Sequence, residues 1–264
     1  MAKLKPIFLL FITVIFILLG CGKGKTAFTM AGSTAFQPFA EKLADQYMAN
    51  HSNVSITVQG GGSAVGIQSA NSGAAQIGMA DLVILPTEAK SLTSIVVAKD
   101  GIAVVVNPKN QVNNLSTDQV RDIFNGKIAN WKEVGGVDAA ITVVSREAGS
   151  GTRSSFEQII TNITLKKDAL IQDSNGTIRE TVANDANSIG YLSHGLINDK
   201  IKPLKIDGQE SSSESIIAGK YKLVRPIFLL LKDAPSGEIK NFIDYILSSE
   251  GQQTIQKNGL IPAK

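Results

Sequence analysis

The chain has 264 residues, of which 43% are hydrophobic and 19% charged, and its formal charge is +3. That length holds one large domain or two modest ones, with a sizeable core. So small a charge excludes a nucleic-acid surface, which needs clustered Lys and Arg. The single cysteine excludes internal disulfides.

The first twenty residues form a separate unit. Lys3 and Lys5 open the chain, and an apolar run then continues to Gly20 and Cys21. This is the basic and hydrophobic layout of a secretion signal, short for a membrane span. Leu18-Leu19-Gly20-Cys21 looks like a bacterial lipobox, whose cysteine is lipidated and becomes the new N-terminus. An uncleaved membrane anchor is the alternative. Removing residues 1–20 takes two lysines and no acid, lowering the charge from +3 to +1. Residues 21–26 read as a flexible tether. Its GCGKGKT stretch is no phosphate-binding P-loop, because only three residues separate Gly20 from Gly24 where four are needed.

After the tether, strands and helices alternate. TAFTM (26–30) reads as a buried strand, and Phe36, Phe39, Ala40, Leu43, Tyr47 and Met48 recur at helical spacing. VSITV (54–58) is a β-branched strand, followed by a short helix near 63–71. AQIGM (75–79) is a third strand, ending at Ala80-Asp81. The long β-rich run 95–108, broken by Asp100-Gly101, reads as a crossing between two lobes. A capped helix is expected over 115–126, a strand over 139–145 and a helix from Thr152 to about Thr161. A helix over 174–184 and a strand over 188–193 come next. YKLVRPIFLLLK (221–232) reads as a second crossing, and two helices close the chain. The alternation predicts an α/β fold of two lobes, each a mostly parallel sheet flanked by helices, joined by two crossing strands. The boundaries fall at 27–103 plus 224–264 for one lobe and 104–223 for the other.

In such sheets ligands bind beyond the carboxyl ends of strands, at helix N-termini. Three strand-to-helix turns there read Gly32-Ser33-Thr34, Gly60-Gly61-Gly62-Ser63 and Gly149-Ser150-Gly151-Thr152, and a further strand ends in Asp81. Glycine lets bare N–H groups approach closely, hydroxyls add donors, and the helix end adds partial positive charge. The matching ligand is an oxyanion, with Arg146 as a bidentate-capable cation. One such turn by itself is an ordinary N-cap; three beside an arginine point to a site. His51 and His194 have no ligand-spaced Cys or acid beside them, so no metal or other cofactor is expected. Trp131 reads as packing, and Arg153 as either support for the site or a solvated side chain.

The stretches AGSTAFQPFAEKLADQY, QGGGSAVGI, IGMAD, GKIANWKEVGG, SREAGSGTRSSFE, NSIGYLS and GQQTIQKNGLIP resemble the phosphate-binding lipoproteins of bacterial ABC phosphate importers. The resemblance runs from about residue 27 to the C-terminus. It implies the two-lobe periplasmic-binding-protein fold of type II, closing on one phosphate ion. It implies binding by Thr34 and the Ala35 backbone, Ser63, Asp81, Arg146, Ser150, Gly151 and Thr152, with Ser33 a weaker member. It also implies a lipid on Cys21, an extracytoplasmic face, the importer's transmembrane subunits as partners, and a monomer. Two departures stand out. Many relatives carry an acid where this chain has Ala148, leaving Glu147 the nearest acid to brace Arg146. Many also read Ser-Arg where this chain has Ala80-Asp81.

Asp81 bears on selectivity. A carboxylate facing an anion is repulsive unless a proton lies between them. Phosphate near neutral pH carries that proton and sulfate does not, so Asp81 argues against sulfate and molybdate as ligands. Two other readings remain: the same fold serving as a sensor or adhesin or binding another oxyanion, and a phosphatase or serine hydrolase using Ser150 or Ser63. Hydrolysis needs a base or metal beside the nucleophile, and neither histidine lies near these turns. GSGT is not the Gly-x-Ser-x-Gly elbow either.

Overall fold

A computed structural model describes residues 25–263. The signal segment, Cys21 and the Gly20–Gly24 spacing lie outside the described residues. In chain order the elements are β1 (Thr26–Gly32), α1 (Gln37–Asn50), β2 (Val54–Gln59), α2 (Ser63–Ser72), β3 (Ile77–Asp81), β4 (Thr93–Val106), β5 (Asn114–Leu115) and α3 (Thr117–Phe124). They continue with β6 (Thr142–Arg146), α4 (Gly151–Ile160), β7 (Leu170–Gln172), α5 (Asn175–Asn184), β8 (Ser188–Ser193), β9 (Lys202–Pro203) and β10 (Lys205–Ile206). The last are α6 (Ser213–Ile217), β11 (Val224–Leu231), α7 (Gly237–Leu247), α8 (Ser249–Lys257) and β12 (Ile261–Pro262).

One sheet runs through the molecule in the order β2-β1-β3-β11-β4-β8-β6-β7. β1 pairs in parallel with β2 and β3 at one end, and β6 pairs in parallel with β7 and β8 at the other. Between these groups lie β4 and β11, antiparallel to each other and to their outer neighbours. β4 is the long link. Its Thr93–Gly101 stretch faces β11, and its Ile102–Val106 stretch faces β8. Asp100-Gly101 does not break it. The pairing partner changes there while the strand continues.

Each end of the sheet has its own core. One gathers Phe28, Met30, Phe36, Leu43, Met79, Leu229 and Phe242. The other gathers Val104, Phe124, Trp131, Phe156, Ile189 and Tyr191. In the second, Phe156 stacks on Tyr191 at 4.1 Å between ring centroids, and Phe124 meets Phe156 at 4.9 Å. Smaller clusters cover the opposite faces, Ile67 with Ala80 and Leu230 in one half and Val144 with Ile178 and Leu192 in the other. Burial on both faces explains the near-continuous apolar runs of the parallel strands.

Sequence and structure agree on the long elements and differ on the short ones. Ser116 caps α3 in a capping box with Gln119. β7 has three residues with Leu170 and Ile171 exposed at the sheet edge, too short for a periodic signal. Its consequence is that α5, like α1, α2 and α4, begins just beyond the carboxyl end of a strand.

Candidate functional site

Asp81 is the meeting point. It ends β3, is 2% exposed, and receives hydrogen bonds from both halves of the molecule. Ser63, the first residue of α2, donates its hydroxyl to Oδ1 at 2.8 Å, and the same Oγ accepts from the Asp81 N–H at 3.0 Å. Thr152, in the first turn of α4, donates to Oδ2 at 3.0 Å. Ser155, one turn on, donates to the Asp81 carbonyl at 3.2 Å. The N-termini of α2 and α4 thus close on one carboxylate, each with first-turn N–H groups that have no partner within the helix.

Glycine makes this closeness sterically feasible. A Cβ at Gly151 would lie 2.1 Å from Ser63 Oγ and 2.6 Å from the Asp81 carbonyl oxygen. Gly62 has φ +87°, and a Cβ there would lie 2.9 Å from the Gly149 carbonyl oxygen. The Ala64 N–H donates to that same oxygen at 3.1 Å. The second and third glycine turns are therefore in contact.

Ser33 and Ser150 have local duties. Ser33 Oγ accepts from the Phe36 N–H at 3.1 Å, ahead of α1. Ser150 caps α4 by accepting from the Arg153 N–H at 3.2 Å. Buried Ala35 and half-buried Thr34 lie in the turn between Ser33 and α1. Thr34 Oγ1 accepts from Asn175 Nδ2 at 3.0 Å and from the Asn175 N–H at 3.3 Å. Asn175 also donates to Thr152 Oγ1 at 3.4 Å and accepts from the Ser193 N–H at 3.0 Å. The sequence marks this helix over 174–184 but does not mark its start as a ligand turn. Its signal was present as Asp173-Ser174-Asn175-Gly176, a small polar turn of the same type, hidden because β7 is too short to announce it.

Arg146 ends β6 and is 1% exposed. Glu147 grips it at two points, with Nε and Nη2 each donating to one carboxylate oxygen at 2.8 Å. The carbonyls of Gln172 and Asp173 accept from the same nitrogens at 3.3 and 3.1 Å. Nη1 has no hydrogen-bond partner among the described residues. Glu147, the next residue in the chain, is therefore the acid that braces Arg146. Arg153 bonds Glu157 at 2.8 Å and the Arg146 carbonyl at 2.8 Å, which makes it a support for the strand end.

A second buried cation lies outside the glycine turns. Arg225, on β11, places Nη2 2.9 Å from Asp81 Oδ2 and 2.8 Å from Asp100 Oδ2. Arg146 is therefore not the sole arginine at the site. Asp100 Oδ1 also accepts from Ser193 Oγ at 2.9 Å. Burial pushes the Asp100 carboxyl up to about 6, against the opposing pull of Arg225 and Ser193. A cavity of about 740 Å³ lies elsewhere, bordered by His194, Ser211 and Lys257, and none of the expected residues lines it.

A family model described as a PBP superfamily domain matches residues 21–250. The chain belongs to that superfamily, among its PstS phosphate-binding proteins. It is 35% identical over 245 residues to the phosphate-binding protein PstS of Bacillus subtilis, covering 91% of this chain and 82% of that protein. Its fold is similar to a crystal structure from Clostridium perfringens, described as a phosphate ABC transporter substrate-binding protein with bound phosphate. That pair has a TM-score of 0.88 and 38% identity, covering 90% of this chain and 100% of the other. A phosphate transport receptor from Vibrio cholerae matches at TM-score 0.74 and 33% identity, again over 90% and 100%. These relatives share the two-lobe architecture that the alternation of elements predicts.

Proposed function

We propose that the chain captures inorganic phosphate between two lobes and hands it to the transmembrane subunits of an ABC importer. The lobes are residues 27–103 with 224–264, and 104–223. The observation that carries this reading is Arg146, a buried guanidinium clamped by Glu147 with Nη1 left to donate. With it the reading takes a separate set of groups bonded to one another: the hydroxyls of Thr34, Ser63 and Thr152, the helix starts at Ser63, Gly151 and Asn175, and the acceptor Asp81. Such a constellation fits a protonated oxyanion. In this reading Ser33, Ala35, Ser150 and Gly151 contribute through the N–H groups and shape of their turns.

Capture suits these residues better than catalysis. Ser63 is tied to Asp81 in both directions, and Ser150 accepts from the Arg153 N–H. Ser150 has no base hydrogen-bonded to its hydroxyl among the described residues, and the carboxylate beside Ser63, Asp81, is already held by Thr152 and Arg225.

We place the protein outside the cytoplasmic membrane, as a monomer held by lipid on Cys21. Among the described residues no helix is long and apolar enough to cross a membrane. The family match also begins at Cys21. Calorimetric titration of the purified chain with phosphate, arsenate, sulfate and molybdate tests the ligand. Phosphate and arsenate should bind and the other two should not. Tighter binding of sulfate or molybdate than of phosphate would overturn the assignment. Cys21→Ser should release the protein from the membrane fraction or leave it unprocessed; unchanged membrane attachment and processing would refute the lipid anchor.

A further inference from the structure

Asp81, Asp100 and Arg225 come from three neighbouring strands. Arg225 stands directly opposite Asp100 in the β11–β4 pairing, and Asp81 stands opposite Ile227, two residues along from Arg225. Opposed residues, and residues two apart, share a face, so all three side chains project to the same side of the sheet. All are at most 2% exposed. The trio sits where β4 and β11 connect the two halves, and a closed circuit of polar contacts joins it to the ligand turns. Thr152 donates to Asp81, Arg225 bridges Asp81 and Asp100, and Ser193 donates to Asp100. The Ser193 N–H donates to Asn175, which donates back to Thr152.

The way Arg225 bonds is unlike an arginine placed to hold a fold together. Nη2 alone serves both carboxylates, while Nε and Nη1 have no hydrogen-bond partner among the described residues. A buried guanidinium optimised for stability would use its fork on one carboxylate and leave fewer donors unpaired. Here one positive charge is divided between two acids.

We propose that Arg225 and Asp100 are positioning residues that set the anion selectivity of the cleft by fixing the charge that Asp81 presents to its ligand. The proposal rests on the phosphate-capture reading. Arg225 sets a positive charge 2.9 Å from Asp81 Oδ2 among buried side chains, where it offsets part of the carboxylate's charge. Asp100 draws on the same guanidinium, so the ionised trio keeps a net charge of −1. A fully ionised oxyanion meets that charge unscreened. A protonated oxyanion places its hydrogen against the Asp81 carboxylate. Take away Asp100 alone, and the trio is neutral. Take away both partners, and Asp81 stands without its cation while the trio returns to −1. The first change relaxes the rejection of sulfate, and the second restores it.

The test is calorimetric titration of phosphate and sulfate at pH 7.5 on the full chain, on Asp100→Asn and on Arg225→Gln/Asp100→Asn. Asparagine at 100 can accept from Arg225 through its one oxygen, and the Ser193 hydroxyl can turn to accept from its amide nitrogen, so both contacts can persist. The expected result is a phosphate-to-sulfate affinity ratio more than threefold below the parent's in Asp100→Asn and back within threefold of it in the double variant. Phosphate affinity itself should rise in Asp100→Asn and return toward the parent's in the double variant. A purely structural role would lower the melting temperature without moving that ratio. A ratio within threefold of the parent's in Asp100→Asn overturns the proposal whether or not the double variant folds. If the unaltered chain binds no phosphate, the capture reading fails first and takes this proposal with it.

Discussion

Arg146 and Arg225 are both fully buried arginines held by acids, yet they are built in opposite ways. Arg146 is gripped by its own chain neighbour, Glu147, which is 31% exposed, and it keeps one nitrogen free. Arg225 is shared by two acids that lie 144 and 125 residues away in sequence and are themselves buried. In the first pair the acid can still be solvated if the cation is lost. In the second it cannot. The one arrangement equips a strand end to meet a ligand. The other balances charge inside the sheet that joins the two halves.

Removing each cation separates these roles most sharply. Arg225→Ala should destabilise the fold by about 3–5 kcal/mol, because Asp81 and Asp100 would be left as uncompensated buried charges. Chemical denaturation measures this, and a loss below about 1 kcal/mol would show that the two acids do not need the cation. Arg146→Ala should do the reverse. Its fold should hold, since Glu147 reaches water, but phosphate binding should weaken by roughly 2 kcal/mol or more, beyond tenfold. Unchanged affinity would remove Arg146 from the ligand set and erase the contrast.

The same difference decides what could be read in advance. Arg146 and the Gly/Ser turns are local patterns, each complete within a few residues, and the structure brings Ser63, Asp81 and Thr152 into direct contact. The long strands and helices were legible because their apolar spacing extends over many residues. Arg225 lies in VRPIFLLL, where it reads as a polar interruption of a buried strand. Nothing local says that it faces Asp100, because that fact depends on the register between two strands whose facing residues are 125 apart in sequence. Asn175 was hidden for a related reason. The strand before it is three residues long, and its turn has only one glycine.

Asp81 belongs to both arrangements, so its replacement probes their junction. In Asp81→Asn the amide oxygen can still accept from Thr152 or from a phosphate proton, but one acceptor becomes a donor. That donor can meet a bare sulfate oxygen, and the opposing charge is gone. The phosphate-to-sulfate ratio should fall by about tenfold or more, chiefly through better sulfate binding, in competition calorimetry at one pH and salt. If sulfate is still excluded as strongly as in the parent, discrimination lies elsewhere, with Glu147 the next residue to change.

The smallest expected effect is a slope and not a loss, and it tests whether burial or pairing governs the inner trio. Asp100 is faced by Arg225 from β11, by Ser193 from β8 and by Asp81 from β3. Burial is the largest influence on it and raises its pKa from 3.8 to about 6; Arg225 and Ser193 pull the other way, and Asp81 adds to the rise. A carboxyl whose folded value lies above its unfolded one stabilises the fold fully below the unfolded value. That contribution is lost as pH climbs through the folded value. The parent's stability relative to Asp100→Asn, which cannot titrate, should therefore be greatest near pH 4, decline up to about pH 6, and be flat above. Urea midpoints at steps between pH 4 and 8 give this difference directly. A gap that widens with rising pH would mean that the share of Arg225 reaching Asp100 outweighs the cost of burying its charge. Arg225 would then be committed chiefly to Asp100, and Asp81 would face the cleft as a carboxylate balanced by little more than the hydroxyls of Ser63 and Thr152.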